Sequence, residues 1–163
     1  MTTRDICVIS TNRADLGALA PLLASLAREP EIHVSFVVSG PHATDTTELR
    51  RLPVPVTATL PYRSAIGGVA DNADSLTNSI SVFSEHFALS SPDIVFATGD
   101  RCEMFGAVTA AYLARIPIAH LAGGDITQGS LDDGYRHAVT KFASLHFATN
   151  PDSASRLIAM GEQ

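Results

Sequence analysis

Apolar residues fall along this chain in short β-branched runs, separated by stretches with helical spacing. The runs Ile6–Ser10, Val34–Ser39, Val54–Leu60, Ile94–Thr98, Pro117–Leu121 and Leu145–Thr149 read as strands. Several are apolar at consecutive positions, as parallel strands covered by helices on both faces should be. Between them, Gly17–Arg28, Ala73–Ala88, Glu103–Arg115, Asp132–Phe142 and Pro151–Met160 read as helices. In the second of these, Leu76, Ile80, Phe83 and Phe87 recur at helical spacing and predict one buried face. The alternation of strand and helix predicts an α/β, doubly wound, Rossmann-like parallel sheet of six or seven strands. Prolines 41, 53, 55 and 61 break up the region from Gly40 to Gly68, so Val54–Leu60 is expected at an edge.

Composition narrows the classes. The chain has 163 residues, a formal net charge of −6 and a single lysine, Lys141, with no basic stripe to track a phosphate backbone. No nucleic-acid partner is expected. No apolar run reaches the roughly 18 residues of a membrane span, and the polar start Thr2-Thr3-Arg4-Asp5 is no signal peptide, so no membrane association is expected. Cys7 and Cys102 fit neither a CxxC pair nor a zinc-ligand spacing, which suits a reduced, cytoplasmic setting. Cys102 reads more readily as a small helix-start residue than as a nucleophile.

The candidate chemistry gathers where strands end. In a parallel sheet, ligands bind beyond the carboxyl ends of the strands. After the first strand comes Ser10-Thr11-Asn12-Arg13-Ala14-Asp15-Leu16-Gly17, which is neither a G-x-G-x-x-G fingerprint nor a P-loop. Arg13 beside a helix start suits an anion, although an Arg13–Asp15 surface pair with Asp15 as N-cap explains the residues equally well. His42 follows the second strand, on Gly40-Pro41-His42. Asp100 follows the fourth, in Thr98-Gly99-Asp100-Arg101, either as a carboxylate aimed at the cleft or as a helix cap. His120 closes the fifth strand, as a catalytic ring or a satisfied core histidine. Beyond Gly123-Gly124-Asp125, a helix opens on Asp132-Asp133, with Arg136 and His137 one turn on. A cap needs only one carboxylate, and the second suits general acid–base work. Asp100, His120, Asp125 and Asp132 could ligate Mg²⁺ or Mn²⁺, but their spacing is not diagnostic and no metal is expected.

These segments, in this order, carry a family resemblance. Thr11-Asn12-Arg13-Ala14-Asp15-Leu16-Gly17, Ser39-Gly40-Pro41-His42, the stretch from Pro92 to Arg101, the stretch from Ile116 to Asp125, the stretch from Asp132 to Lys141, and Leu145-His146-Phe147 resemble the hydrolysing UDP-N-acetylglucosamine 2-epimerases. The resemblance covers nearly the whole chain. It implies one half of a glycosyltransferase-B-type architecture, with residues 1–163 as the N-terminal domain and a second, UDP-binding domain missing from this chain. The implied reaction eliminates UDP from UDP-N-acetylglucosamine, or a related UDP-2-acetamido sugar, to give a 2-acetamidoglucal. Water then adds to give the free 2-epimer, with no organic cofactor.

By similarity, Asp100, Asp132, Asp133 and His120 are the catalytic candidates. Arg13, His42, Arg136 and His137 would bind substrate, with Arg13 facing the diphosphate. Two departures stand out: Ala122 occupies a position where many relatives carry Glu or His, and Thr11-Asn12 replaces the usual Gly-Thr or Gly-Ser ahead of the arginine. A half-domain is expected to fold, to bind UDP weakly, to expose an apolar patch and to self-associate, as a homo-oligomer would. Two readings stay open beside the leading one: a non-catalytic half-domain that binds or regulates a partner, and a related enzyme of the same architecture.

Overall fold

The computed structural model describes residues 3–43, 47–62 and 69–163, so parts of the proline-interrupted Gly40–Gly68 region lie outside the described residues. Among the described residues, six strands form one sheet in the order β3-β2-β1-β4-β5-β6. They are β1 (Arg4–Ser10), β2 (Ile32–Val38), β3 (Val56–Thr59), β4 (Ile94–Thr98), β5 (Ile118–Leu121) and β6 (Leu145–Phe147), and every pairing is parallel. The helices are α1 (Leu16–Leu26), α2 (Val69–Ser90), α3 (Cys102–Leu113), α4 (Asp132–Phe142) and α5 (Pro151–Ala159). The chain winds outward from β1 in both directions, the doubly wound arrangement that the sequence predicts.

Strand periodicity divides the core into two layers. Cys7, Ile9, Val37, Val95, Ala97 and Ile118 face the layer shared with α2, α3 and α4. Their neighbours Val8, Phe36, Val38, Phe96 and Ala119 face the opposite layer, with Leu19 and Leu23 of α1. Successive side chains of a strand point to opposite faces, so a continuous apolar run fills both layers.

The element ends shift for local reasons. β3 does sit at the sheet edge, but it starts at Val56 because prolines 53 and 55 cannot donate to a ladder. β6 stops at Phe147, ahead of Asn150, whose side chain caps α5 by accepting from the Ser153 N–H at 2.9 Å. α3 ends before Arg115, which adopts φ +59°. The apolar stripe of α2 needs a correction: Phe83 and Phe87 are buried, but Leu76 and Ile80 are only partly so. Ser75 and Ser79 hold the buried positions in that half. A Cβ on Gly106 of α3 would lie 2.6 Å from that of Ser79, so the two helices cross here on small residues. The Ser79 hydroxyl also donates to the Glu103 carbonyl at 2.8 Å.

Candidate active site

Because every strand runs the same way, the segments after β1, β2, β4 and β5 all emerge at one edge of the sheet. Arg13, His42, Asp100 and the start of α4 share that edge as a consequence of topology. Side-chain contacts then divide them into two groups.

The first group is organised by Arg136, on the second turn of α4 and 5% exposed. Its Nη2 donates to the Asp100 carboxylate and, at 3.0 Å, to the Thr127 hydroxyl. Its Nη1 donates to Asp133 at 2.5 Å and to the Asp125 carbonyl at 2.7 Å. One guanidinium therefore joins the end of β4 to the helix after β5, a use suited to its rigid planar fork. Asp133 also accepts the Thr127 N–H at 2.8 Å, which closes the loop ahead of α4.

Asp132 is placed differently from its neighbour. It lines a polar hollow of about 210 Å³ where the first turns of α2, α3 and α4 meet. Tyr135, Arg101, Cys102, Glu103 and Asn72 share that wall. Glu103 is buried and receives Arg101 Nε at 3.3 Å. Burial pushes the Cys102 thiol above its ordinary pKa, and the charge of Glu103 adds to the shift, so the thiol is no activated nucleophile.

The second group lies after β1 and β2. Arg13 does not pair with Asp15, as the surface-pair reading had it; its guanidinium takes both carboxylate oxygens of Glu48. Asp15 instead completes a capping box with Asn12. Asp15 Oδ2 accepts the N–H groups of Thr11 and Asn12 at 3.1 and 2.9 Å and faces the Ser10 hydroxyl at 3.2 Å. Burial raises the Asp15 pKa against those hydrogen bonds, and the Asp100 charge adds to the rise. Ser10 Oγ lies 2.7 Å from Nδ1 of the buried His42. The two turns are closely fitted: Gly40 has φ +62°, and a Cβ there would meet the Thr11 carbonyl at 2.6 Å.

His120 lies beneath both groups, fully buried between β5 and α4, with Nδ1 3.2 Å from the Thr140 hydroxyl. Burial lowers its pKa to about 4, partly opposed by a hydrogen bond with the Gly99 backbone, so the ring is neutral at physiological pH. His137 is half-buried on α4, and its Nδ1 has no hydrogen-bond partner among the described residues. Asp125 fastens its loop to α5: Oδ1 accepts the hydroxyls of Thr149 and Ser153 at 2.6 and 2.5 Å. Gly124, at φ +80°, sits so close to the Ser153 carbonyl that a Cβ would come within 2.3 Å of its oxygen. Ala122 holds φ +66° without being glycine. Among the described residues, no three His, Cys, Asp or Glu side chains are grouped to hold a metal ion.

Ser10, Asp15, Glu48 and Thr127 are the site residues that sequence reasoning did not single out for function. Asp15 had a signal, a carboxylate in the first strand-end turn. Glu48 had none, being 35 positions from its partner.

Comparison with known proteins gives a consistent picture. The family model for UDP-N-acetylglucosamine 2-epimerase matches residues 24–163. The GDP/UDP-N,N'-diacetylbacillosamine 2-epimerase (hydrolyzing) of Campylobacter jejuni is 29% identical over all of this chain and 44% of its own length. The UDP-N,N'-diacetylbacillosamine 2-epimerase (hydrolyzing) of Legionella pneumophila is 32% identical over 98% of this chain and 44% of its own. The chain thus spans less than half the length of these relatives. The crystal structure of UDP-GlcNAc 2-epimerase from Neisseria meningitidis bound to UDP-GlcNAc superposes with a TM-score of 0.86 at 20% identity. It is matched over 98% of this chain and 43% of its own, which shows a shared fold.

Proposed function

The chain belongs to the UDP-N-acetylglucosamine 2-epimerase family, and we propose that it is the N-terminal catalytic half of a hydrolysing member. The substrate class is UDP-N-acetylglucosamine or a related UDP-2-acetamido sugar, and UDP-N,N'-diacetylbacillosamine is included because two relatives are named for it. The observation that carries the reading is the asymmetry of the paired aspartates. Asp133 is fastened by Arg136 and the Thr127 amide, whereas Asp132 lines a polar hollow.

The chemistry follows from that placement. A base removes the C2 proton as the C1–O bond breaks and its electron pair leaves with UDP, forming the C1=C2 bond of a 2-acetamidoglucal. Water then gives its hydroxyl to C1, and a proton returns to C2 on the opposite face. Two proton transfers need two positioned acid–base groups. Asp100, oriented by Arg136, and Asp132, lining the hollow, are the pair we assign. Asp133 and Arg136 hold the loop and the helix start, and His120 braces β5 against α4 beneath them. Arg13 exchanges Glu48 for the diphosphate when substrate arrives, because a planar guanidinium suits both.

A second domain supplies the opposite wall, since a site that develops charge on a diphosphate needs enclosure from water. Exposed Ile126 and Leu131 flank the site in the loop ahead of α4, where such a wall would rest.

The test is a UDP-release assay on the full-length protein with both UDP-sugars, run in deuterated water. Expected are UDP, a free 2-epimer and one solvent deuteron at C2. Epimerised UDP-sugar without UDP release would make the enzyme non-hydrolysing. Transfer of the sugar to an acceptor would make it a glycosyltransferase.

A further inference from the structure

Arg101 and Glu103 stand at the start of α3, and both line the polar hollow that Asp132 also lines. The Glu103 side chain is 4% exposed, and its Oε2 receives Arg101 Nε at 3.3 Å. Among the described residues, nothing donates to the other carboxylate oxygen, Oε1. That oxygen is not one of the side-chain atoms sealed from solvent without a partner, so it keeps an opening. The open space that Glu103 lines is the hollow. The two terminal nitrogens of Arg101 likewise donate to no described residue, and this side chain is 42% exposed. A carboxylate only accepts and a guanidinium only donates. The pair thus offers a free acceptor beside free donors, and a nearly buried carboxylate oxygen gains most from a ligand that donates to it.

A secondary amide matches this pair, because its N–H needs an acceptor and its carbonyl needs a donor. A hydroxyl needs only one of the two, and a phosphate would meet the Glu103 charge. We propose that the hollow is the subsite for the acetamido group on C2 of the sugar, with Glu103 accepting its N–H and Arg101 donating to its carbonyl. Leu131 and Tyr135 supply apolar surface for the methyl group, the Tyr135 ring being packed on Phe105 with centroids 5.5 Å apart. The placement on C2 rests on the function proposed above: both proton transfers occur at C2, and Asp132, assigned to one of them, lines the same hollow. Glu103 and Arg101 take no proton; they set specificity by reading the substituent on the reacting carbon.

Calorimetry on the full-length protein tests it, with three probes: UDP and the analogues of UDP-N-acetylglucosamine and UDP-glucose in which CH₂ replaces the glycosidic oxygen, so that UDP cannot leave. The wild type should bind the acetamido analogue roughly 10–100-fold more tightly than the glucose analogue, as hydrogen bonds to charged groups would give. Glu103→Leu should reduce that preference to a few-fold or less and leave the affinity for UDP unchanged. Arg101→Gln, on a partly exposed side chain, should cut the preference roughly tenfold, and it decides the matter where Glu103→Leu fails to fold. A preference kept in the variants, or absent from a wild type that binds both analogues, overturns the subsite and leaves the proposed function standing. Equal weakening of all three probes would mean that Glu103 only holds the first turn of α3, and it overturns the subsite too. If the wild type binds neither analogue, the proposed function falls and the subsite falls with it.

Discussion

Arg13 and Arg136 both grip carboxylates along the same edge of the sheet, yet in opposite surroundings. The Arg13–Glu48 pair lies in solvent, with side chains 67% and 43% exposed. Arg136 is 6% exposed by side chain, against 23% for each of Asp100 and Asp133. An exposed pair contributes about 0–1 kcal/mol and is screened by salt. A buried guanidinium stays charged and must keep its partners, since an uncompensated buried charge is strongly destabilising. The first arrangement can exchange its carboxylate for a ligand, and the second cannot. On the function proposed above, the site combines a replaceable anion contact with a fixed frame.

The largest expected effect falls on the groups that the frame presents. Asp132→Asn in the full-length protein should lower UDP release by about 10²–10⁴ with stability unchanged, and Asp100→Asn should do the same while also lowering stability, since Arg136 loses a partner. Asp133→Asn should act mainly on stability. If Asp133→Asn removed activity and Asp132→Asn did not, the assignment within the pair would reverse.

The frame itself is tested by Arg136→Met. Removing the guanidinium leaves two carboxylates facing each other, at a cost of about 3 kcal/mol, the low end for a broken buried pair because both acids keep some solvent. Urea unfolding reads it as a lowered midpoint with unchanged slope. A loss below about 1 kcal/mol would place Arg136 in the same category as Arg13.

These distinctions show how far the residues alone could be read. The sheet was legible because parallel strands buried on both faces leave continuous apolar runs, and topology then brings strand-end residues to one edge. That Arg13, His42, Asp100 and Asp132 share this edge was legible from position alone. What they touch was not. Neighbouring residues on a helix point about 100° apart, so nothing in Asp132-Asp133 says which one lines the hollow. Ser10 and His42 lie 32 positions apart, and Arg13 and Glu48 lie 35 apart. Ser75 and Ser79 misled the reading of α2 because close helix packing prefers small side chains over the apolar ones that a periodicity search seeks.

Beneath the frame, His120 makes stability depend on pH. Its pKa is lowered from 6.5 to about 4 by burial, so between those values the unfolded chain binds more protons than the native one. Stability should therefore be complete above pH 6.5 and fall as the pH drops toward 4. The loss from this group would be at most about 3 kcal/mol. His120→Gln should flatten that part of the urea-midpoint profile. A profile of unchanged slope would mean that other groups carry the acid sensitivity.

The smallest effect is the most direct test of the contrast between the two arginines. Glu48→Gln removes the carboxylate that Arg13 holds but leaves the chain packing intact, so stability should change by less than about 1 kcal/mol. Binding of UDP by the full-length protein should tighten a few-fold, because the diphosphate no longer displaces a charged competitor. That gain should shrink as salt rises from 50 to 500 mM, since the Debye length falls below about 5 Å over that range. Arg13→Gln should weaken binding by a similar factor and abolish the effect of changing Glu48, a non-additivity that a double-mutant cycle measures directly. Additive effects would mean that Glu48 and the diphosphate do not share Arg13. The exposed pair would then be a surface contact, and the anion contact would have to come from elsewhere on the sheet edge.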